Sequence, residues 1–360
     1  MPAKAASWWA KENKTMIRCH LCPHECDILK GRIGFCGVRK NSKMELQSLN
    51  YGKICVATVD SIEKKPIFHY KPGSKLYSIG TIGCNFDCEG CQNSELARGG
   101  GGRRMPFTEM SPETLVSEAL SKKVNGIGWT FNEPIVWAEF VIDTSVAARK
   151  KGLFSMMNTN GFIGKKARDD LLPNIDVMKI DIKSFSEAFY RENCKGTLRP
   201  VLETCVSAKE QGIHVELAYL MIPELNDSDA EIRQFSLWVA EVMGTEVPVH
   251  LFRFSPAYRL AHLNKEPLYR MKKAREIAMA SGLAYVYFGG FISDSAEGQN
   301  TCCPCCGEVL ISRKCDIPTE KICVKGAQIS RFCPNFSNVT VNMRGSSCPR
   351  CGAPIQIKLA

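Results

Sequence analysis

The sequence has no apolar stretch near the roughly 20 residues needed to cross a bilayer, so no membrane span is expected. Its amino terminus, MPAKAASWWAKENKT, lacks a continuous apolar core before any cleavage site; no signal peptide is expected, and the reading is a cytoplasmic protein. The glycine run at 99–102, flanked by Arg98, Arg103 and Arg104, has no lysine followed by serine or threonine in register, so it reads as a flexible loop rather than a phosphate cradle. The net charge is +10, yet no arginine-rich run focuses it; a basic, solvated surface is expected, with an RNA partner as a minor alternative. Cysteine, by contrast, is abundant. Nineteen cysteines in 360 residues, without a secretion signal, point to a reducing compartment and to metal ligation rather than disulfides. The length accommodates one large domain with small appendages.

Three of the cysteines, Cys84, Cys88 and Cys91, stand in a C-x3-C-x2-C spacing. Such a trio can wrap three corners of a [4Fe–4S] cubane and leave one iron open for chemistry. A disulfide or structural zinc fits poorly, because the number is odd and the spacing is not that of a zinc knuckle. The preceding segment, 75–80, reads as a strand, which places the cysteine loop at a carboxyl end, where α/β sheets hold their ligands. Further strands are expected at 126–131, 153–159, 175–182, 213–222, 247–254 and 283–288, alternating with amphipathic helices. That pattern means βαβ units and a parallel sheet. Seven strands do not complete eight units, so the expected fold is α/β, an open or partial (β/α) barrel.

Small cysteine-rich modules flank this core. Cys19, Cys22, Cys26 and Cys36 form a complete four-thiolate set, read as a structural zinc site in preference to a saturated iron–sulfur cluster. In the tail, Cys303-Pro-Cys-Cys306-Gly and Cys348-Pro-Arg-Cys351-Gly are two knuckles of a zinc ribbon; Cys302, Cys305, Cys315, Cys323 and Cys333 remain spare. The expected division is a mobile leader at 1–18, the amino-terminal module with lead-in strands at 19–74, the core at 75–290 and the ribbon at 291–360. A hairpin is expected within 44–62, which is rich in β-branched residues.

Polar residues close the expected strands. Asn132 and Glu133 suit an ammonium group, or else cap the helix that begins at Pro134. Asp181 and Lys183 share one strand face and suit hydroxyl or carboxylate groups, or else form a simple ion pair. His250 and Arg253 bracket the strand at 247–254, His250 reading equally well as a core histidine.

The cysteine motif resembles that of the radical S-adenosylmethionine (SAM) superfamily. More narrowly, the string EKKPIFHYKPGSKLYSIGTIGCNFDCEGCQN resembles the AmmeMemoRadiSam-system radical SAM enzymes, which are related to pyruvate formate-lyase activating enzyme. The likeness runs from about Cys19 to about Cys351. It implies a partial barrel with a [4Fe–4S] cluster on Cys84, Cys88 and Cys91. SAM contacts are implied for Asn132, Glu133, Asn158, Asn160, Asp181 and Lys183, with Arg253 and His250 as further candidates. The cluster's open iron would bind SAM and one electron would release a 5′-deoxyadenosyl radical, which takes hydrogen from a C–H bond. A protein or peptide substrate and an electron donor such as ferredoxin or flavodoxin follow from the same likeness.

Three positions depart from it. Gly90 stands where an aromatic residue is common, Ser94 where a tryptophan is usual, and Ser255 where relatives carry histidine. Each is a large-to-small change, which suggests a cavity widened for cobalamin and a C-methylation outcome. Installation of a glycyl radical is the alternative; an RNA-modifying enzyme and a non-enzymatic metal scaffold are more distant ones.

Overall fold

The computed structural model describes residues 4–99, 105–289, 298–316, 323–324, 327–328 and 335–359. Most of the glycine-rich loop, including Arg103 and Arg104, and the spare cysteine Cys333 lie outside the described residues.

Eight strands form the central sheet: β1 (Val56–Ser61), β2 (Lys75–Gly80), β3 (Gly126–Trp129), β4 (Phe154–Thr159), β5 (Val177–Ile182), β6 (His214–Met221), β7 (Val249–Arg253) and β8 (Val286–Gly289). They lie side by side in chain order. β2 to β8 are parallel, and β1 pairs antiparallel with β2 at one edge. Strands such as β4 and β5 are buried along nearly their whole length, as expected where helices cover one face and a core fills the other.

The intervening helices form where the sequence supplies their start signals. At Ser111 the side chain accepts from the Thr114 amide at 3.1 Å, and Pro112 occupies the first turn of α1 (Pro112–Ser121). Trp129, Trp137 and Phe140 pack edge-on and stacked between β3 and α2 (Ala138–Arg149), all under 2% exposed. Burial of such large rings supplies much of the core's stability.

The amino-terminal residues correct two expectations. Lys4–Ala5 pairs with Glu45–Ser48, and Trp9–Lys11 pairs with Met16–Cys19, so residues 4–11 are folded rather than a mobile leader. The Trp8 indole donates to Asp170 at 2.7 Å, and Arg39 pairs with Glu139 at 2.6 Å deep in the interior. No hairpin forms within 44–62 either. Glu45–Ser48 pairs with Arg39–Ser42, while Val56–Ser61 joins the central sheet. Strands this short are fixed by the partners they pair with more than by their own composition.

The tail lies against the amino ends of the barrel strands. There Arg313 is buried, its guanidinium 4.1 Å from the Phe68 ring centre and bonded to the Phe68 carbonyl and Thr301. Close by, Glu216 accepts from the amides of Phe68 and His69 and from His250.

Candidate active site and metal centres

At the opposite, carboxyl end of the strands lies a cavity of about 440 Å³, within the size range of small-molecule sites. Cys84, Cys88 and Cys91 border it, on the loop that leaves β2. That loop is held from several sides. Asn132 accepts from the Thr81 amide at 3.0 Å and donates to the Gly83 carbonyl at 2.9 Å. Asn85 donates to the Phe162 carbonyl at 2.6 Å, and the amides of Asp87 and Glu89 donate to the carbonyls of Cys194 and Asn193. Gly83 is required where it stands: its φ is +98°, and a Cβ there would meet Val38 at 2.8 Å and the Cys36 carbonyl at 2.9 Å.

The strand-end residues divide into two groups. Asn132, Glu133, Asn158, Asn160, Asp181, Lys183 and Arg253 all line the cavity. Within that set, Asn132 and Glu133 are already engaged in holding backbone. Glu133 accepts from the Ile135 amide, the Asn160 amide and the Thr159 hydroxyl, and so caps the turn at Pro134 while it faces the cavity. Burial lifts its pKa to about 7 against those three hydrogen bonds. Asn160 is likewise engaged, donating to Asn85 at 2.8 Å. Asn158 differs: its Oδ1 is buried without a hydrogen-bond partner, an acceptor left for a ligand.

Asp181 stands between two cations on the same strand face, Lys179 and Lys183, the latter at 3.0 Å. Burial would raise the Asp181 pKa, but the two ammonium groups hold it down at about 2. The carboxylate is therefore ionised throughout the neutral range, with one cation in excess. Lys179 was missed by the sequence reading, although the alternation that pairs 181 with 183 extends to it. Cys194 was also missed. It reaches the cavity beside Cys88, from a π-helical turn, Tyr190–Cys194. No sequence signal marked that turn.

His250 is a correction. It is fully buried, 2.6 Å from Glu216, and does not line the cavity. Its ring is held by Glu216 and packed against Phe68 and Tyr287, so it is a core histidine. The widened-pocket expectation also changes at Gly90. A Cβ there would meet Leu260 at 3.2 Å and Phe254 at 3.3 Å, so the space an aromatic side chain would take is already filled.

The four tail cysteines converge. Cys303 and Cys351 lie 3.6 Å apart, Cys306 and Cys348 3.7 Å apart, and all four sulfurs fall within 4.8 Å of one another. Each knuckle carries a glycine at φ +74°, Gly307 and Gly352, whose amides bond back to Cys303 and Cys348. Four thiols gathered this closely could hold one metal ion, consistent with a metal-binding module. Cys302 and Cys305 are exposed beside it and take no part.

Residues 78–235 match the model of the radical SAM superfamily. The uncharacterized protein MJ0808 of Methanocaldococcus jannaschii is 39% identical over 99% of this chain and 100% of its own length. Pyruvate formate-lyase 1-activating enzyme of Escherichia coli is 24% identical over 41% of this chain, the match spanning 61% of that enzyme. Among solved structures, a domain of pyruvate-formate lyase-activating enzyme from Bacteroides vulgatus is 17% identical, covering 46% of this chain and 99% of that one with a TM-score of 0.41. With its cysteine loop at the carboxyl end of a parallel sheet, the chain belongs to the radical SAM superfamily.

Proposed function

We propose that the chain uses this cavity to cleave SAM and to take hydrogen from a C–H bond of a protein or peptide substrate, as a member of the AmmeMemoRadiSam-system enzymes. The observation that carries the reading is the meeting, on one cavity, of three cysteines, the Lys179–Asp181–Lys183 triad and the unpartnered Asn158 oxygen. When bound, a [4Fe–4S] cluster with SAM supplies one electron to the sulfonium and thereby a carbon radical. The chain's residues do the rest. Cys84, Cys88 and Cys91 hold three irons. The triad orients the polar parts of SAM, Asp181 accepting from ribose hydroxyls and the excess ammonium meeting a carboxylate. Glu133 and Asn158 offer acceptors to the amine. Apolar walls from Phe86, Phe131 and Leu260 exclude water from the reacting carbon. The tail site is proposed to hold structural zinc, and a low-potential ferredoxin or flavodoxin to supply the electron.

Between methyl transfer with cobalamin and hydrogen abstraction alone, the packed surroundings of Gly90 favour the second. A substrate test separates the classes. The reduced protein and SAM are incubated with extract of the source organism grown on deuterated amino acids, and the 5′-deoxyadenosine is weighed. Deuterium in that product supports a protein substrate. Label arriving only from deuterated nucleosides would move the substrate to RNA, and a +14 Da product peptide would restore methylation.

A further inference from the structure

The amino-terminal cysteines contrast with those of the tail. A zinc ion with bonds of about 2.3 Å draws four sulfurs to about 3.8 Å from one another. The tail set has that spacing. Among the described residues, it is also the one group of three or more His, Cys, Asp or Glu whose ligand atoms lie within 4.8 Å of each other. Cys19, Cys22, Cys26 and Cys36 are all described and do not meet that limit, yet all four border one small cavity. In this they match Cys84, Cys88 and Cys91, which are likewise spread around a space instead of closing on a point.

A second observation concerns the wall of the same cavity. Arg39 is 1% exposed, and two of its nitrogens bond to Glu139 and the Ser7 carbonyl, while Nε is buried with no partner. A fixed cation with a spare N–H beside four thiols is suited to an anionic metal–sulfur centre whose outer sulfurs accept hydrogen bonds. The free space, about 10 Å³, admits the centre of about one water-sized sphere, more than a tetrahedral ion leaves. Seating a cubane would turn the thiols slightly outward.

We infer that these four cysteines hold a second iron–sulfur cluster, in place of the zinc expected from spacing alone. With every corner ligated, it binds no substrate. Its chemistry is the exchange of single electrons with an external low-potential one-electron donor. Its position gives that exchange a neighbour: the Cys36 carbonyl lies against Gly83, next to Cys84, and the His24 ring donates to the Asn85 carbonyl at 2.7 Å.

The test uses the full chain, produced without oxygen, with the catalytic cysteines removed as C84A/C88A/C91A. Iron, sulfide and zinc are counted, and the electron paramagnetic resonance of the reduced protein is recorded with and without SAM. The expected result is a fall from about eight to about four irons per chain, with sulfide in parallel. The remaining signal should not respond to SAM, and about one zinc should stay in the tail. Two zincs and no iron would overturn the inference. Should the triple variant fail to fold, wild type and C22S are counted side by side: a fall from about eight irons to about four supports the cluster, and about four irons in both overturns it. Because these readouts are metal counts and a spectrum, their failure leaves the proposed SAM cleavage standing, and failure of SAM cleavage leaves them unaffected.

Discussion

The two ends of the barrel use cysteine in opposite ways. At the amino end, the four tail sulfurs close to 3.6 and 3.7 Å and leave no room for anything but an ion. At the carboxyl end, three sulfurs surround an open cavity shared with a charged triad and an unpartnered acceptor. Filled by a single zinc ion, the first arrangement would have every coordination position taken and would serve structure. A cubane held by the three cysteines of the second would keep one position free, and the cavity supplies polar groups beside it. Number and spread of the ligands, more than their identity, separate a structural site from a reactive one.

The comparison breaks most directly through single cysteines. Cys88→Ala should lower SAM cleavage by about a thousandfold or more, about 4 kcal/mol of transition-state stabilisation, and leave the tail metal in place. Cys306→Ala should do the reverse, releasing the tail metal and lowering the melting temperature while cleavage stays within about twofold. Metal analysis beside a product assay reads both, and equal loss of cleavage in the two variants would erase the distinction.

The next effect is on stability. Glu133 has its pKa lifted to about 7 by burial, from 4.5. Between those values the folded chain binds more protons than the unfolded one, so stability falls as pH rises through the window. The contribution is fully present below 4.5, is lost as pH passes 7, and amounts to about 3 kcal/mol at most. Urea midpoints at pH 5 and pH 8 should differ less in Glu133→Gln than in the wild type.

Asp181→Asn leaves the buried Lys179 and the partly exposed Lys183 facing each other across an amide. SAM affinity, measured by calorimetry on the cluster-loaded protein, should weaken by about 10- to 100-fold, the worth of a charged hydrogen bond. The smallest effect is expected at Gly90. Gly90→Ala has to displace only the flexible end of Leu260 and the rim of Phe254, and should cost about 1 kcal/mol or less. Gly90→Phe, lacking space, should lower both stability and cleavage; if it were tolerated, the filled-pocket reading would fail.

Much of this was legible in the residues. The parallel strands are rich in apolar residues and alternate with helices, and Cys84, Cys88 and Cys91 have a spacing with few other uses, so the parallel sheet and the loop that carries the three cysteines follow from local pattern. What an inward side chain meets is another matter. Alternation puts His250 on an inward face but does not say that Glu216 from the neighbouring strand claims its ring. Gly90 likewise reads as empty space until Phe254 and Leu260, distant in sequence, are found beside it. Cys194 depends on a π-helical turn that composition does not signal. The strands at 4–11 are too short for any periodicity to register and exist through their partners.

The most direct test of the central claim is the production of 5′-deoxyadenosine by protein purified without oxygen, holding an intact cluster on Cys84, Cys88 and Cys91, and reduced in the presence of SAM. Equimolar 5′-deoxyadenosine and methionine, absent from Cys88→Ala, is the predicted result. No cleavage by a protein whose reduced cluster is spectroscopically intact would contradict it, leaving a metal scaffold with the shape of an enzyme.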